Sequence, residues 1–180
     1  VFGASNFPFA FSVAGGDTIS ALASGCPVVY KAHPAHPATS ELVSQILIDT
    51  IKKCSMPEGL FALLQGKSNE CSITLVQHPL IKAVAFTGSF NGGKALFDAA
   101  CKRQEPIPVY AEMGSVNPVF ILPGIMSKDA IGIAEKLAAS NLLSVGQFCT
   151  NPGLIFSLKS EHTEQFLATF ASAIKQFNAA

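Results

Sequence analysis

Charge is scarce in this sequence and cancels: 13% of its 180 residues are charged, with 12 Lys and Arg against 12 Asp and Glu, for a formal net charge of zero. No run of like charges occurs either, so there is no electrostatic footprint for nucleic acid or an anionic membrane surface, and neither is read as a partner. Paired cysteines are missing too. The five that occur, Cys26, Cys54, Cys71, Cys101 and Cys149, are odd in number, widely spaced and without a CxxC pair, which argues against a disulfide framework and against a zinc site. A reducing compartment, and so a cytoplasmic protein, is expected. No stretch reaches the roughly 18 apolar residues of a membrane span. The apolar opening from Val1 to Ala14 has no charged leader and contains Asn6 and Pro8, unlike a signal peptide. Internal repeats and low-complexity linkers are also absent. What is present is apolar material, 49% of the residues, enough to bury one substantial core and the beginning of another.

In order, the chain alternates strand and helix signals. A polar turn at 3–8 precedes any visible element, and a small, apolar segment from about Ala10 to Ser24 reads as a buried helix closed by Gly25. Pro27-Val28-Val29-Tyr30 is a short strand, and the two prolines of Ala32-His33-Pro34-Ala35-His36-Pro37 end it. Leu42, Val43, Ile46, Leu47 and Ile51 recur at helical spacing. Further strands are expected at 60–64, 83–87, 107–111, 119–122 and 154–158, with helices between them; Ser127 is the expected cap of the helix carrying Ala130, Ile133, Ala134, Leu137 and Ala138. Phe166, Phe170, Ile174 and Phe177 line one side of a last helix as packing residues. Near-continuous apolar strands alternating with helices predict an α/β fold, a Rossmann-like open parallel sheet with helices on both faces.

Three places carry possible chemistry. The strand at 83–87 runs into Gly88-Ser89-Phe90-Asn91-Gly92-Gly93-Lys94 before a helix. Such a turn aims backbone N–H groups and a helix dipole at one point, which suits a phosphate, although it matches neither GxGxxG nor the Walker pattern and also reads as a plain connection. Glu112 ends a strand, the position of ligand-facing residues in an open α/β sheet, and is either a general base or a solvated carboxylate. Cys149 follows an apolar helix in a polar, glycine-flanked turn; a lone cysteine is either a small hydrophobe or a nucleophile. The other four cysteines, beside apolar periodic segments, read as packing residues, and the four histidines show no metal-ligand spacing.

The ordered phrases Asn6-Phe7-Pro8, Lys31-Ala32-His33-Pro34, Phe86-Thr87-Gly88-Ser89 with Gly93, Glu112-Met113-Gly114-Ser115-Val116-Asn117-Pro118 and Gly146-Gln147-Phe148-Cys149 together resemble the aldehyde dehydrogenase superfamily. Gly3-Ala4-Ser5-Asn6-Phe7-Pro8, Lys31-Ala32-His33-Pro34-Ala35-His36-Pro37 and Gln147-Phe148-Cys149-Thr150-Asn151-Pro152-Gly153 are similar to the branch of the 2,5-dioxovalerate (α-ketoglutarate semialdehyde) dehydrogenases. The resemblance covers the whole chain. It implies NAD(P)-dependent oxidation of an aldehyde: Cys149 attacks the carbonyl as a thiolate, the Asn6 amide and the Cys149 N–H hold the oxyanion, hydride passes to the nicotinamide, and Glu112 activates the water that hydrolyses the thioester. It assigns Lys31 to the adenosine ribose, Gly88 and Ser89 to the pyrophosphate, and Gly93 to close packing of the next helix.

The resemblance further implies a longer, homo-oligomeric protein, in which residues 1–145 belong to the nucleotide-binding domain and 146–180 begin a second, catalytic α/β domain. Many family members that prefer NAD have Glu where Pro34 stands here. Without that carboxylate the 2′-OH loses an acceptor and a 2′-phosphate loses a repulsion, so NADP is the expected preference, with NAD as the alternative and His33 or Lys67 as possible phosphate donors. Ser5 replaces a frequent Trp, which leaves the aldehyde tunnel undefined. Two other readings stand beside this one: a nucleotide-binding module without turnover, and a cysteine hydrolase, which has no need of Lys31 or the Gly88-Ser89 turn.

Overall fold

The structure is a computed structural model that describes residues 1–3, 13 and 15–177. These fall into two compact units, Val1–Met113 and Gly114–Ala180. Asn6 and Ser5, and the start of the helix expected from Ala10, lie outside the described residues.

In the first unit α1 (Gly16–Ala23) leads to β1 (Val28–Lys31), α2 (Pro37–Lys53), β2 (Phe61–Leu64), α3 (Asn69–Gln77), β3 (Val84–Thr87), α4 (Phe90–Cys101) and β4 (Val109–Glu112). β1 runs parallel to β2, pairing Val28 with Phe61, and β3 parallel to β4, pairing Thr87 with Glu112. The two pairs are joined by residues in which no element was expected. Phe2 bridges to both Lys31 and Phe86, its N–H donating to the Ala85 carbonyl at 3.0 Å while the Gly3 N–H donates to the Lys31 carbonyl at 3.1 Å. No periodicity can show in three residues, so this central strand position was invisible in the sequence. The resulting parallel order is β2, β1, residues 1–3, β3, β4.

That order grows outward from the centre first one way and then the other. Right-handed crossovers therefore put α1 and α2 on one face and α3 and α4 on the opposite face. The core divides accordingly. Val28, Tyr30 and Phe61 are buried with Leu22, Val43 and Leu47 packed on them, and Phe2, Val84 and Ile107 are buried with Val76, Leu96 and Ala100. Burial pushes the Tyr30 hydroxyl up to about 12. α1 ends as Gly25 predicted: the Cys26 N–H donates to the Ala21 carbonyl and the Gly25 N–H to Leu22, the pattern of a Schellman cap.

The helical spacing of Leu42, Val43, Ile46, Leu47 and Ile51 is borne out in α2, although Leu42 and Ile46 are 69% and 64% exposed, because they lie about a quarter-turn from the Val43, Leu47 and Ile51 stripe that meets the sheet. One reading is corrected here. Cys26, Cys54 and Cys101 are exposed rather than packed, and Cys71 is half-buried. Cys54 is the C-cap of α2 and Cys101 ends α4, where apolar periodicity continues past the point at which the helix reaches solvent.

In the second unit, β5 (Pro118–Ile121) is parallel to β6 (Leu154–Ser157), and they are linked by α5 (Pro123–Leu142) and a short 3₁₀ turn, Leu143–Gly146. With α6 (Thr163–Gln176) they enclose Ile121, Met126, Ala130, Ala134, Leu137 and Phe166. Phe166 and Phe170 stack at 6.1 Å as packing residues, whereas Phe177 has left the helix as its C-cap and is 42% exposed.

The expected cap of the long helix also changes. Ser127 donates to the Gly124 carbonyl at 3.1 Å inside a first helical turn, and Asp129, with φ −156°, breaks the helix and accepts from the Gly132 N–H at 2.9 Å. A carboxylate satisfies the orphan N–H as a hydroxyl can and in addition complements the dipole. Asp129→Ala is expected to cost about 1 kcal/mol, read as a lowered denaturant midpoint with an unchanged slope. Ser127→Ala should do measurably less. No helix among the described residues is long and apolar enough to cross a membrane.

Candidate functional site

In an open parallel sheet, ligands bind beyond the carboxyl ends of the strands where the order of growth reverses, since the crossovers there diverge and leave a crevice. In the first unit that point lies at residues 1–3, between β1 and β3. A cavity of about 540 Å³ opens there, within the range of small-ligand sites. Its lining includes Gly3, Lys31, His33, Pro34, Gly88 and Ser89. Segments separated by more than 50 residues are thus gathered by topology alone.

Lys31 ends β1 and is 5% exposed. Its Nζ donates to the Ala32 and Gly66 carbonyls, each at 2.7 Å, so two of an ammonium's three donors have partners and its direction is fixed. Burial lowers its pKa, partly opposed by nearby Cys71. His33 stacks on His36 with centroids 5.8 Å apart and accepts at Nδ1 from the Ala35 N–H at 3.1 Å. Burial, then His36, then Lys31 lower the His33 pKa. It therefore stays neutral at pH 7 with its proton on Nε2, a donor without a charge.

Beyond β3, Ser89 caps α4, its Oγ accepting from the Gly92 N–H at 3.2 Å. The Gly88 N–H donates to the Glu112 carbonyl at 3.0 Å. The ring of Phe86 lies under this turn, and a Cβ on Gly88 would come within 2.6 Å of it, so only glycine brings the backbone this close. Gly93 does not line the cavity. A Cβ there would lie 2.6 Å from the Met113 Sδ, so this glycine lets α4 sit down on the end of β4. Ser68 and Asn69, at the start of α3, and Lys67 line the cavity as well. Ser68 accepts from the Glu70 N–H at 3.1 Å; its Ser-x-Glu pattern was a readable helix start, but nothing in the sequence tied it to this crevice.

Glu112 ends β4 with an exposed side chain. Cys149 belongs to the second unit and is exposed on the turn after the 3₁₀ segment. The turn is braced from below. Asn117 Nδ2 donates to the carbonyls of Cys149 at 2.7 Å and Asn151 at 2.9 Å, while Asn141 and Asn151 tie the flanks. Sequence reading missed these asparagines; Asn117 and Asn151 carried only the Asn-Pro turn pattern at 117–118 and 151–152, and Asn141 no local signal. Among the described residues no three His, Cys, Asp or Glu side chains are grouped to hold a metal ion.

A parallel α/β unit with a crevice at its switch point, carrying a buried lysine, a glycine turn and a capped helix start, is a Rossmann-like open sheet, an architecture whose crevice suits a phosphate-bearing ligand. Residues 1–180 match the aldehyde dehydrogenase family. The chain is 51% identical over 174 residues, 97% of its length, to alpha-ketoglutaric semialdehyde dehydrogenase 2 of Azospirillum brasilense. It is 50% identical over 167 residues to alpha-ketoglutaric semialdehyde dehydrogenase of Acinetobacter baylyi. It spans about a third of these relatives, 33% and 31% of their lengths. The fold matches a crystal structure of an NAD-dependent benzaldehyde dehydrogenase from Corynebacterium glutamicum with a TM-score of 0.80 at 24% identity, covering 99% of this chain and 36% of that one. The chain belongs to the aldehyde dehydrogenase family.

Proposed function

We propose that the full-length protein oxidises an aldehyde, foremost α-ketoglutarate semialdehyde, to the carboxylate through a thioester on Cys149. The crevice at the switch point carries the nucleotide part of this reading, and the names of the relatives at about half identity carry the substrate. The crevice fits a nicotinamide dinucleotide in three respects: its size, a glycine turn with no room for a side chain, and a buried lysine in its lining. Lys31 would hold the adenosine ribose, and Gly88 and Ser89 the pyrophosphate. The dinucleotide, when bound, supplies the two-electron acceptor.

The chain's own groups do the rest. Cys149 thiolate adds to the aldehyde carbon, forming a C–S bond and an alkoxide, which the Cys149 N–H and the Asn6 amide would stabilise as preorganised donors. Loss of two electrons with the carbonyl hydrogen turns this adduct into a thioester. Glu112 takes a proton from water as it attacks the thioester, and the C–S bond breaks to return the thiolate and release the carboxylate. In this reading residues 1–145 serve nucleotide binding and 146–180 begin the catalytic domain of a homo-oligomeric, cytoplasmic protein.

Pro34 points to NADP as the preferred cofactor, with NAD also accepted. No carboxylate stands at this position to repel a 2′-phosphate, and neutral His33 offers an Nε2–H. Pro34→Glu is expected to shift the NADP-to-NAD ratio of kcat/KM by about 10-fold or more toward NAD, since a charged hydrogen bond is worth roughly 1.5 to 3 kcal/mol. An unchanged ratio would remove Pro34 from the specificity argument. The whole reading is tested by following nucleotide reduction by the full-length protein with a panel of aldehydes, α-ketoglutarate semialdehyde included. Saturable nucleotide binding without reduction of any kind would leave a binding module.

A further inference from the structure

An exposed nucleophile on a turn has no packed side chain to orient it, so its direction depends on what holds its backbone. In the second unit the turn from Cys149 to Gly153 is tied down at four carbonyl or N–H groups. Asn117 Nδ2 donates to Cys149 O at 2.7 Å and to Asn151 O at 2.9 Å. Asn141 Nδ2 donates to Pro152 O at 2.8 Å, and the Gly153 N–H donates to Val116 O at 3.0 Å. Asn151 Nδ2 returns a bond to the Asn141 carbonyl at 2.8 Å. Upstream of the cysteine the backbone is left-handed at three successive residues, Ser144, Val145 and Gly146, with φ of 50°, 58° and 74°. A β-branched residue rarely accepts that conformation. The left-handed run before Cys149 is unfavourable by itself, and the ties beyond the cysteine help to hold the turn.

Asn117 has the properties this role demands. It sits at φ 42°, in the left-handed region where asparagine is several-fold enriched. Its own N–H is satisfied by Ser115 Oγ at 3.1 Å. One amide nitrogen carries two hydrogens, and here each meets a carbonyl; a serine has a single O–H, and an aspartate of the same shape offers only acceptors. We propose that Asn117 is a positioning residue for the nucleophile: by holding the Cys149 and Asn151 carbonyls together it sets the direction of the Cys149 thiol and of the Cys149 N–H that faces the developing oxyanion. This rests on Cys149 being the nucleophile.

Two variants of the full-length protein separate the side chain from the backbone. Asn117→Gly keeps the left-handed conformation and removes both donors. Asn117→Asp keeps the shape and turns donors into acceptors facing two carbonyl oxygens. A misplacement of about 1 Å at a reacting atom costs roughly 100-fold, so kcat should fall by about that factor in Asn117→Gly and further in Asn117→Asp, with the nucleotide KM unchanged and the melting temperature lowered only by the lost hydrogen bonds, a few degrees. Wild-type kcat in Asn117→Gly overturns the proposal. So does a parallel loss of kcat, nucleotide affinity and melting temperature, which would mark a general structural role. Cys149→Ala is run beside them: if it is inactive while Asn117→Gly turns over normally, only the positioning role fails, and if it remains active the nucleophile reading fails and the proposal with it.

Discussion

Cys149→Ala in the full-length protein is expected to remove aldehyde-dependent nucleotide reduction by a factor on the order of 10⁴ or more, the scale on which deleting a nucleophile abolishes covalent catalysis. The reason is chemical: without sulfur there is no covalent adduct to hold the former carbonyl carbon while its hydrogen leaves, and alanine offers no substitute. Nucleotide affinity should be unchanged, because the groups read as holding the nucleotide, Lys31, Gly88 and Ser89, are untouched by the substitution. Thiol labelling alone is an unsuitable readout. Cys26, Cys54 and Cys101 are exposed as well, so the modified residue has to be located by peptide mass. Persistence of reduction in Cys149→Ala would sink the thioester mechanism, and loss of nucleotide binding along with activity would assign the cysteine to packing.

Glu112→Gln should separate the two halves of the reaction. Glutamine keeps the length and shape of the side chain but cannot take a proton, and loss of a general base costs about 10²- to 10⁴-fold. The first turnover, which needs Cys149 but no base for water, should survive as a burst of reduced nucleotide; steady-state turnover should fall by that factor. A thioester on Cys149, visible as added mass, should accumulate in the variant. The substitution leaves the local backbone intact, since among the described residues the bonds made by Glu112 within the first unit are those of β4 and of its carbonyl with the Gly88 N–H. Equal loss of burst and steady state would move Glu112 from thioester hydrolysis to an earlier step, and no loss in either would return it to the solvated carboxylate of the simpler reading.

Residue patterns carried most of the architecture. Val28 to Lys31, Phe61 to Leu64 and Val84 to Thr87 are short apolar runs bounded by proline, glycine or serine, and they are strands because β-branched and aromatic side chains suit a sheet covered on both faces. Ser68 and Ser89 start helices for a local reason, a hydroxyl within reach of an N–H two or three residues on. Where local reasons competed, reading failed. Ser127 and Asp129 are both competent caps, and the break at Asp129 follows from how the segment after Pro123 meets the core around Met126 and Ala130. Leu42 and Ile46 are as apolar as their neighbours, and only the orientation of α2 against the sheet leaves them in water.

The amino-acid sequence by itself determined the alternation of strands and helices, the glycine turn after β3, the family, and the identities of the groups competent for the chemistry, since each depends on residue type and near spacing. The tertiary structure alone decided that residues 1–3 form the centre of a sheet, that Lys31, His33 and Ser89 share a crevice, and that Asn117 holds a turn 32 residues away. Contacts of that span come from strand order and crossover handedness, and a local pattern has no term for either.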